Sequence, residues 1–354
     1  MSPPLSVIIP IYNAESTLAR CLNSVLTQSL RDIEVICIND GSTDGSVEIL
    51  KKFVAHEARL HVYSFEKNYG VVIATKLALL NAKGKYVMFV DSDDILLPGA
   101  CENAVRLIGE YGVDVLQFGI KITAQPGIDI SGFEKLIRQE PMTSEGDRIL
   151  YDCFALHRFT HHYFNKIYRR EVCRTAAETM PEVFIKRFMD LYLSFIFLYY
   201  AKTFRSVADG PYYEYSFGNG ISTHAPDEKQ FADLCTSSAI LSAIEWFLKR
   251  ENVLDENRFL LDSIGIILKS DVVNKLLALP EITKETIDLA VKSWGSEVVY
   301  DFLKATGLLD VKCESRHKLI TTLVEQIRKQ QSVPSASVQP TLSVGSLNTA
   351  HPAK

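Results

Sequence analysis

The chain has 354 residues, 47% hydrophobic and 23% charged. That composition excludes a disordered polymer, a collagen and a coiled-coil rod, and its length suits about two domains. A formal net charge of −5 excludes a broad nucleic-acid binder, which needs a basic face.

Ser6-Val7-Ile8-Ile9-Pro10 is β-branched and uncharged, the pattern of a buried strand. Leu18, Leu22, Val25 and Leu26 follow at helical spacing, and Ile33 to Ile38 form a second strand. Val47, Leu50, Phe53 and Val54 mark the next helix, Leu60 to Phe65 a third strand, and residues 71–82 an Ala- and Leu-rich helix. Tyr86 to Val90 is a fourth strand, Pro98 opens a helix through about Gly109, and Val113 to Gly119 is a fifth strand. Near-continuous apolar strands alternating with helices predict an α/β fold, a mostly parallel sheet covered on both faces. In such sheets ligands bind outside the carboxyl ends of the strands. Here those ends are Pro10 to Asn13, Asn39 to Ser42, Glu66 to Gly70 and Asp91 to Asp94, all polar and turn-forming and all expected on one edge.

Residues 121–224 are mixed in pattern. Helices are expected over Phe231–Arg250, Arg258–Leu279, Lys284–Ala305 and Arg316–Lys329. Residues 331–354, rich in Ser, Val, Pro, Thr and Ala with one charge at Lys354, read as a disordered tail. The expected division is therefore 1–224, 225–330 helical, and 331–354 tail. Seven cysteines without a C-x-x-C pair argue against zinc or disulfide scaffolding and for a reducing compartment. Met1-Ser2-Pro3-Pro4 runs straight into a strand, unlike a signal peptide. The longest apolar stretch, Leu191 to Ala201, is short of the roughly 20 residues a bilayer span needs. The expected location is cytoplasmic, or peripheral on the cytoplasmic face of a membrane.

The sharpest chemical signal is Asp91-Ser92-Asp93-Asp94, with three carboxylates in four residues after an uncharged strand. Such a cluster repels itself unless a cation joins it, and hard Mn²⁺ or Mg²⁺ takes oxygen ligands of this kind. The plainer role is helix capping, for Asp94 especially. Asn39 to Ser46 is an acidic, glycine-containing turn; it is neither a dinucleotide G-x-G-x-x-G nor a phosphate loop. His157, His161 and His162 form an H-x₃-H-H cluster that reads chiefly as surface histidines, less as a contact to sugar, phosphate or metal. Lys166, Arg169, Arg170 and Arg174 read as a mostly solvated basic face that could also meet a lipid-linked diphosphate or anionic headgroups.

Taken together, Ser6 to Asn13, Leu22 to Gln28, Ile38 to Gly45, Asn68-Tyr69-Gly70 and Gly84 to Asp94 resemble the family 2 glycosyltransferases of the GT-A (Rossmann-like) fold. The resemblance is specific over residues 5–100, weaker over 150–224, and stops at about 225. It implies a nucleotide-sugar donor, most often a UDP-sugar. It places Pro10, Tyr12, Glu15, Asp40, Asn68, Lys76, Asp91 and Ser92 around that donor, with Asp40 accepting from the base and Asp93 of the DXD motif binding Mn²⁺ or Mg²⁺. His162 to Glu171 is similar to the family's acceptor-side segment W-N-K-L-Y-R-R-E. Asp190, after Phe188 and Met189, falls where inverting members carry the catalytic carboxylate. Tyr212 to Tyr215 with Gly220 to Ser222 matches a weak closing motif.

The chain departs from the family at Thr75, where an Arg is usual and Lys76 is the expected substitute, and at Met189, which replaces a carboxylate. It has no Q-x-x-R-W string, which disfavours a processive synthase. The resemblance thus implies an inverting, metal-dependent glycosyltransferase acting on a glycan or lipid-linked acceptor in cell-surface polysaccharide synthesis. The alternative is a non-catalytic scaffold of the same fold that binds nucleotide-sugar or glycan. A nucleotidyltransferase would need a glycine-rich, basic start that is absent.

Overall fold

The structure is a computed structural model and describes residues 2–124, 126–137, 140–218, 227–295 and 298. Four parallel strands form its heart: β1 (Leu5–Ile11), β2 (Ile33–Asn39), β3 (Leu60–Ser64) and β4 (Tyr86–Phe89), in spatial order β3-β2-β1-β4. Every residue of β2 and β4 is buried, as continuous apolar strands predict. Helices α1 (Leu18–Leu26), α2 (Ser46–Val54) and α3 (Val71–Asn81) make the crossovers. α1 buries Leu18, Cys21, Leu22, Val25 and Leu26, one stripe at 3.6-residue spacing.

Two short connections follow this unit: β5 (Ile95–Leu96), then α4 (Ala100–Tyr111). α4 starts two residues after Pro98 because Gly99, at φ 78°, sets the left-handed turn that precedes it. Next come β6 (Val115–Gln117), β7 (Ile120–Ala124), α5 (Ser131–Ile137), β8 (Met142–Glu145) and α6 (Arg148–Phe154). They are followed by β9 (Lys166–Arg169), α7 (Arg170–Thr179), α8 (Met189–Tyr200), β10 (Thr203–Ser206) and β11 (Tyr213–Phe217).

The large sheet has eight strands, ordered β3-β2-β1-β4-β9-β6-β10-β8. β9 is antiparallel to both β4 and β6, while β10 runs parallel to β6. A second sheet, β5-β11-β7, lies apart from it. The sheet is thus mixed beyond β4, which strand periodicity alone does not reveal.

These directions place the chemistry. β1, β2, β3, β4 and β6 end on one edge, and antiparallel β9 begins there. α8 leads through two residues into β10, which runs with β6, so the N-terminus of α8 opens on that edge too.

Helices α9 (Glu228–Cys235), α10 (Ser238–Arg250), α11 (Leu254–Leu277) and α12 (Lys284–Trp294) complete the described residues. The expected Phe231–Arg250 helix is broken between Cys235 and Ser238. Ile240, Ile244, Phe247, Ile264 and Leu268 join the same buried apolar cluster as β1 and α8. By composition, Glu228–Arg250 is long and apolar enough to cross a bilayer, but half of it is buried inside the protein. The helix expected over 316–329 and the tail 331–354 lie outside the described residues.

At the opposite edge, Glu34 is buried within β2 and accepts from Ser6 Oγ (2.5 Å), Lys83 N (2.5 Å) and Gly84 N (2.9 Å). A Cβ on Gly84 would stand 2.4 Å from Ser6 N, so this close approach requires glycine.

Candidate active site

The loops after β1 and β2 are joined by hydrogen bonds. Asn13, at φ 51°, donates its N–H to Ser42 Oγ (3.0 Å) and accepts from Thr43 N–H (2.8 Å). Ala14 N–H donates to Ser46 Oγ, and Glu15 N–H to Asp44 Oδ2, both at 2.9 Å. Glu15 Oε2 accepts from Gly45 N–H at 3.0 Å. Glu15 therefore ties two loops together and does not stand free at the opening. Tyr12 is half-exposed at the end of β1, beside the partly buried Pro10.

Asp40 directly follows β2 and is buried, and its carboxylate accepts from Tyr69 N–H (2.7 Å) and Gly70 N–H (2.9 Å). Burial pushes its pKa up while the two amides hold it down. It fixes the Asn68-Tyr69-Gly70 turn. Gly41, at φ 69°, lies where a Cβ would meet Lys67 C at 2.3 Å, so the two turns touch backbone to backbone. On α3, Thr75 is fully buried and Lys76 Nζ pairs with Glu182 at 3.0 Å.

The Asp91–Asp94 turn closes on itself through Asp94 N–H to Asp91 O (3.0 Å). Asp94 is buried and accepts from Tyr213 OH and Ser216 N–H, each at 2.7 Å. It is an anchor to the second sheet and does not cap a helix. Arg20 Nη2 donates to Asp93 O (2.6 Å) and Ser216 Oγ (2.9 Å). Tyr163 OH donates to Asp91 Oδ1 at 2.7 Å. Burial, then the neighbouring Asp93, pushes Asp91 up to about 7 against the pull of the Tyr163 hydroxyl. Burial also raises Asp93, with the Arg20 charge opposing. Asp91 and Asp93 with Ser92 are only partly buried. Crowded carboxylates answered only in part by Arg20 suit a hard divalent cation.

The segment expected on the acceptor side is built around Lys166, which is fully buried. Its ammonium donates to Thr160 O (2.8 Å), to His162 O and to Asn165 Oδ1 (3.2 Å). This corrects the expectation of a solvated basic residue: three acceptors match its three protons and curl residues 160–165 into a fixed loop. Of the histidine cluster, His157 is exposed, whereas His161 and His162 are partly buried against Asp190. Burial lowers both imidazole pKa values, His162 to about 3, against the pull of the Asp190 carboxylate. His162 stacks on Phe164 (5.1 Å), and Phe164 on Tyr213 (4.9 Å) and Tyr215 (5.3 Å).

Asp190 lies in the first turn of α8, after Phe188 at φ 60°. Its Oδ1 accepts its neighbour Leu191 N–H at 2.9 Å. The Tyr163 and Tyr215 phenols, raised chiefly by burial, lie in the fields of both Asp190 and the 91–93 carboxylates. The site therefore gathers Asp91, Asp93, Asp190, Tyr163 and the two histidines. Sequence reasoning missed Arg20, Tyr163, Tyr213 and Ser216 as site residues. Tyr163 lay within the His162–Glu171 segment and Tyr213 within the Tyr212–Tyr215 motif, whereas Arg20 and Ser216 carried no local signal.

Residues 6–175 match the profile of glycosyl transferase family 2. Over 111 residues the chain is 41% identical to glycosyltransferase GlyA of Streptococcus pneumoniae, covering 31% of this chain and 16% of that protein. Over 116 residues it is 37% identical to glycosyltransferase GlyG of the same organism, covering 33% and 38%. It thus spans less than half the length of either relative. Residues 1–349 of S. aureus TarS, solved with UDP-GlcNAc, superpose with a TM-score of 0.52 at 20% identity, covering 85% of this chain and 92% of that one. Residues 6–175 thus match the family 2 glycosyltransferases, and the fold is the GT-A-like one shared with TarS.

Proposed function

We propose that this domain transfers a sugar from a nucleotide-sugar, a UDP-sugar, to a hydroxyl of a glycan or lipid-linked acceptor, with inversion and one residue at a time. The observation that carries the reading is that Asp190 stands at the same sheet edge as the Asp91–Asp93 turn, close enough for its charge to act on Asp91 and on the Tyr163 hydroxyl that binds it. Tyr12, Pro10 and the Asp40-held Asn68 turn line the place for base and ribose, with Ser92 beside Asp91. Asp190 Oδ2 takes the proton of the acceptor hydroxyl as that oxygen attacks the anomeric carbon. Attack from the face opposite the leaving nucleoside diphosphate inverts the configuration. Asp93 would hold Mn²⁺ or Mg²⁺, which would supply charge neutralisation of that diphosphate. Tyr163 holds Asp91, and Arg20 holds the Asp93 backbone, so the turn needs little rearrangement when a donor arrives.

Two placements favour a catalytic member over a scaffold. Thr75 is buried in the core and Met189 packs partly buried against it, so neither departure displaces Asp190 or the 91–93 turn. The six cysteines of the described residues are free and buried, which supports work in the reducing cytoplasm, where nucleotide-sugars are made. Synthesis of a cell-surface polysaccharide is the setting we assign. The test is nucleoside diphosphate release by the purified chain across a panel of nucleotide-sugars, with Mn²⁺ and with EDTA. Release with one donor, stopped by EDTA, is expected. Tight donor binding without release from any donor would replace the enzyme reading with the scaffold.

A further inference from the structure

We propose that His161, His162 and Asp190 together bind one divalent cation of the Zn²⁺ or Co²⁺ kind, at a site separate from the carboxylates at 91–93. Nε2 of His161 and Nε2 of His162 lie 3.8 and 3.7 Å from the same oxygen, Asp190 Oδ2. That is too long for hydrogen bonds, which run to about 3.2 Å. It is near the separation of two ligands sharing one ion, about 3.4 Å for tetrahedral Zn²⁺ with bonds of about 2.0–2.1 Å. One ligand atom from each residue falls within 4.8 Å of the other two.

The donor set has the right chemistry. Two imidazoles and a carboxylate suit a borderline metal, whereas the all-oxygen 91–93 turn suits a hard one. Three protein ligands also leave a fourth position open for water or a substrate oxygen.

The ligands are held before any ion arrives. The Lys166 ammonium bonds the carbonyls of Thr160 and His162 and so fixes the loop that carries both rings. His162 packs between Phe164 (5.1 Å) and Phe133 (6.0 Å), and His161 stacks on Phe154 (6.4 Å). Nδ1 of His162 is buried without a hydrogen-bond partner, so the polar reach of that ring is through Nε2 towards Asp190. Asp190 Oδ1 is occupied by Leu191 N–H, which leaves Oδ2 for the cation. One consequence rests on the catalytic reading above: an ion here occupies the oxygen assigned to take the acceptor proton, and so competes with transfer.

The experiment is titration of the untagged full chain with Co²⁺, read by its visible absorption, which needs no turnover. One Co²⁺ per chain is expected, displaced by Zn²⁺. Losing an outer-sphere partner already costs about 10–100-fold in metal affinity, so His161→Gln and His162→Gln should each weaken binding at least tenfold. Asp93→Ala should leave the absorption band in place. X-ray absorption of the Zn²⁺ form should show two imidazole nitrogens at about 2.0–2.1 Å. No band with the folded wild type, a band unchanged in both histidine variants, or a band lost in Asp93→Ala would each overturn the site. Failure of the catalytic reading would instead appear as full transfer by Asp190→Asn, a result the Co²⁺ spectrum does not touch.

Discussion

Asp93 and Asp190 are both carboxylates at one sheet edge, yet their surroundings assign them different work. Asp93 sits among like charges at 91 and 94, which suits the cation proposed there, whereas Asp190 faces two imidazoles that burial keeps neutral near pH 7. Asp190→Asn keeps size and hydrogen bonding but loses the proton acceptor. Transfer should fall by about 10²–10⁴-fold with donor affinity nearly unchanged, measured by initial rates beside calorimetric donor binding. Wild-type rates in that variant would move the base elsewhere. Asp93→Ala should abolish the Mn²⁺- or Mg²⁺-restored turnover that EDTA removes from the wild type; full donor turnover by the variant would refute the metal assignment. The carboxylates at 91–94 were legible in the sequence because they follow an uncharged strand directly, whereas Asp190 was legible only through the family resemblance. Their partners were not. Tyr163 lies 72 residues from Asp91, and Tyr213 lies 119 from Asp94, separations that only the folded chain brings together.

At the scale of elements, the parallel unit β3-β2-β1-β4 follows from apolar runs and their helices, because β1, β2 and β4 are covered on both faces and are apolar at most positions, while the edge strand β3 is partly exposed. β9 escapes such reading. It is four residues long, its first residue is a lysine, and that lysine is buried only because the chain curls three oxygens around it. The short β5 and β8 are likewise defined by their partners. β8 depends on Asp152 of α6, whose buried carboxylate accepts from Ser144 Oγ (2.7 Å) and Arg158 Nη1 (3.2 Å) and pairs with Arg148 (3.3 Å). Burial raises its pKa, but the Ser144 hydroxyl and Arg158 more than offset that, and it is held below the usual range. A depressed carboxylate stabilises the fold above its unfolded pKa and loses that contribution as pH falls through its folded value. Asp152→Asn should therefore cost about 1.5–3 kcal/mol at pH 7. The gap between variant and wild type in urea unfolding should narrow towards pH 3. An unchanged gap at pH 3 would show that the charge contributes nothing there.

For the whole molecule, the helices after residue 227 are joined to the catalytic domain. Phe247 meets Tyr199 (5.0 Å) and Tyr200 (5.9 Å), Lys186 pairs with Asp233 (2.6 Å), and Arg250 Nη1 donates to Thr179 O (2.7 Å). A division at about 224, which the change to continuous helical pattern suggests, cuts through shared core. Each buried Phe, Leu or Ile contributes about 1.5–3 kcal/mol, so a chain ended at residue 224 should melt well below the full chain and associate on size-exclusion chromatography. A monomer with the full chain's melting temperature would make the first part autonomous. The buried Glu34 has another meaning at this scale. β1 meets β2 with Ser6 opposite Glu34 at one end and Ile11 opposite Asn39 at the other, and just beyond that end Asn13 bonds Ser42 and Thr43. β1 is otherwise a run of interchangeable aliphatic residues, whose packing tolerates sliding. Slippage by one position would strand a carboxylate inside the protein without its hydroxyl donor and part Asn13 from the neighbouring loop in the same movement. The central strand thus carries an alignment mark at each end, and both marks favour the one register that sets the edge holding Asp91, Asp93 and Asp190.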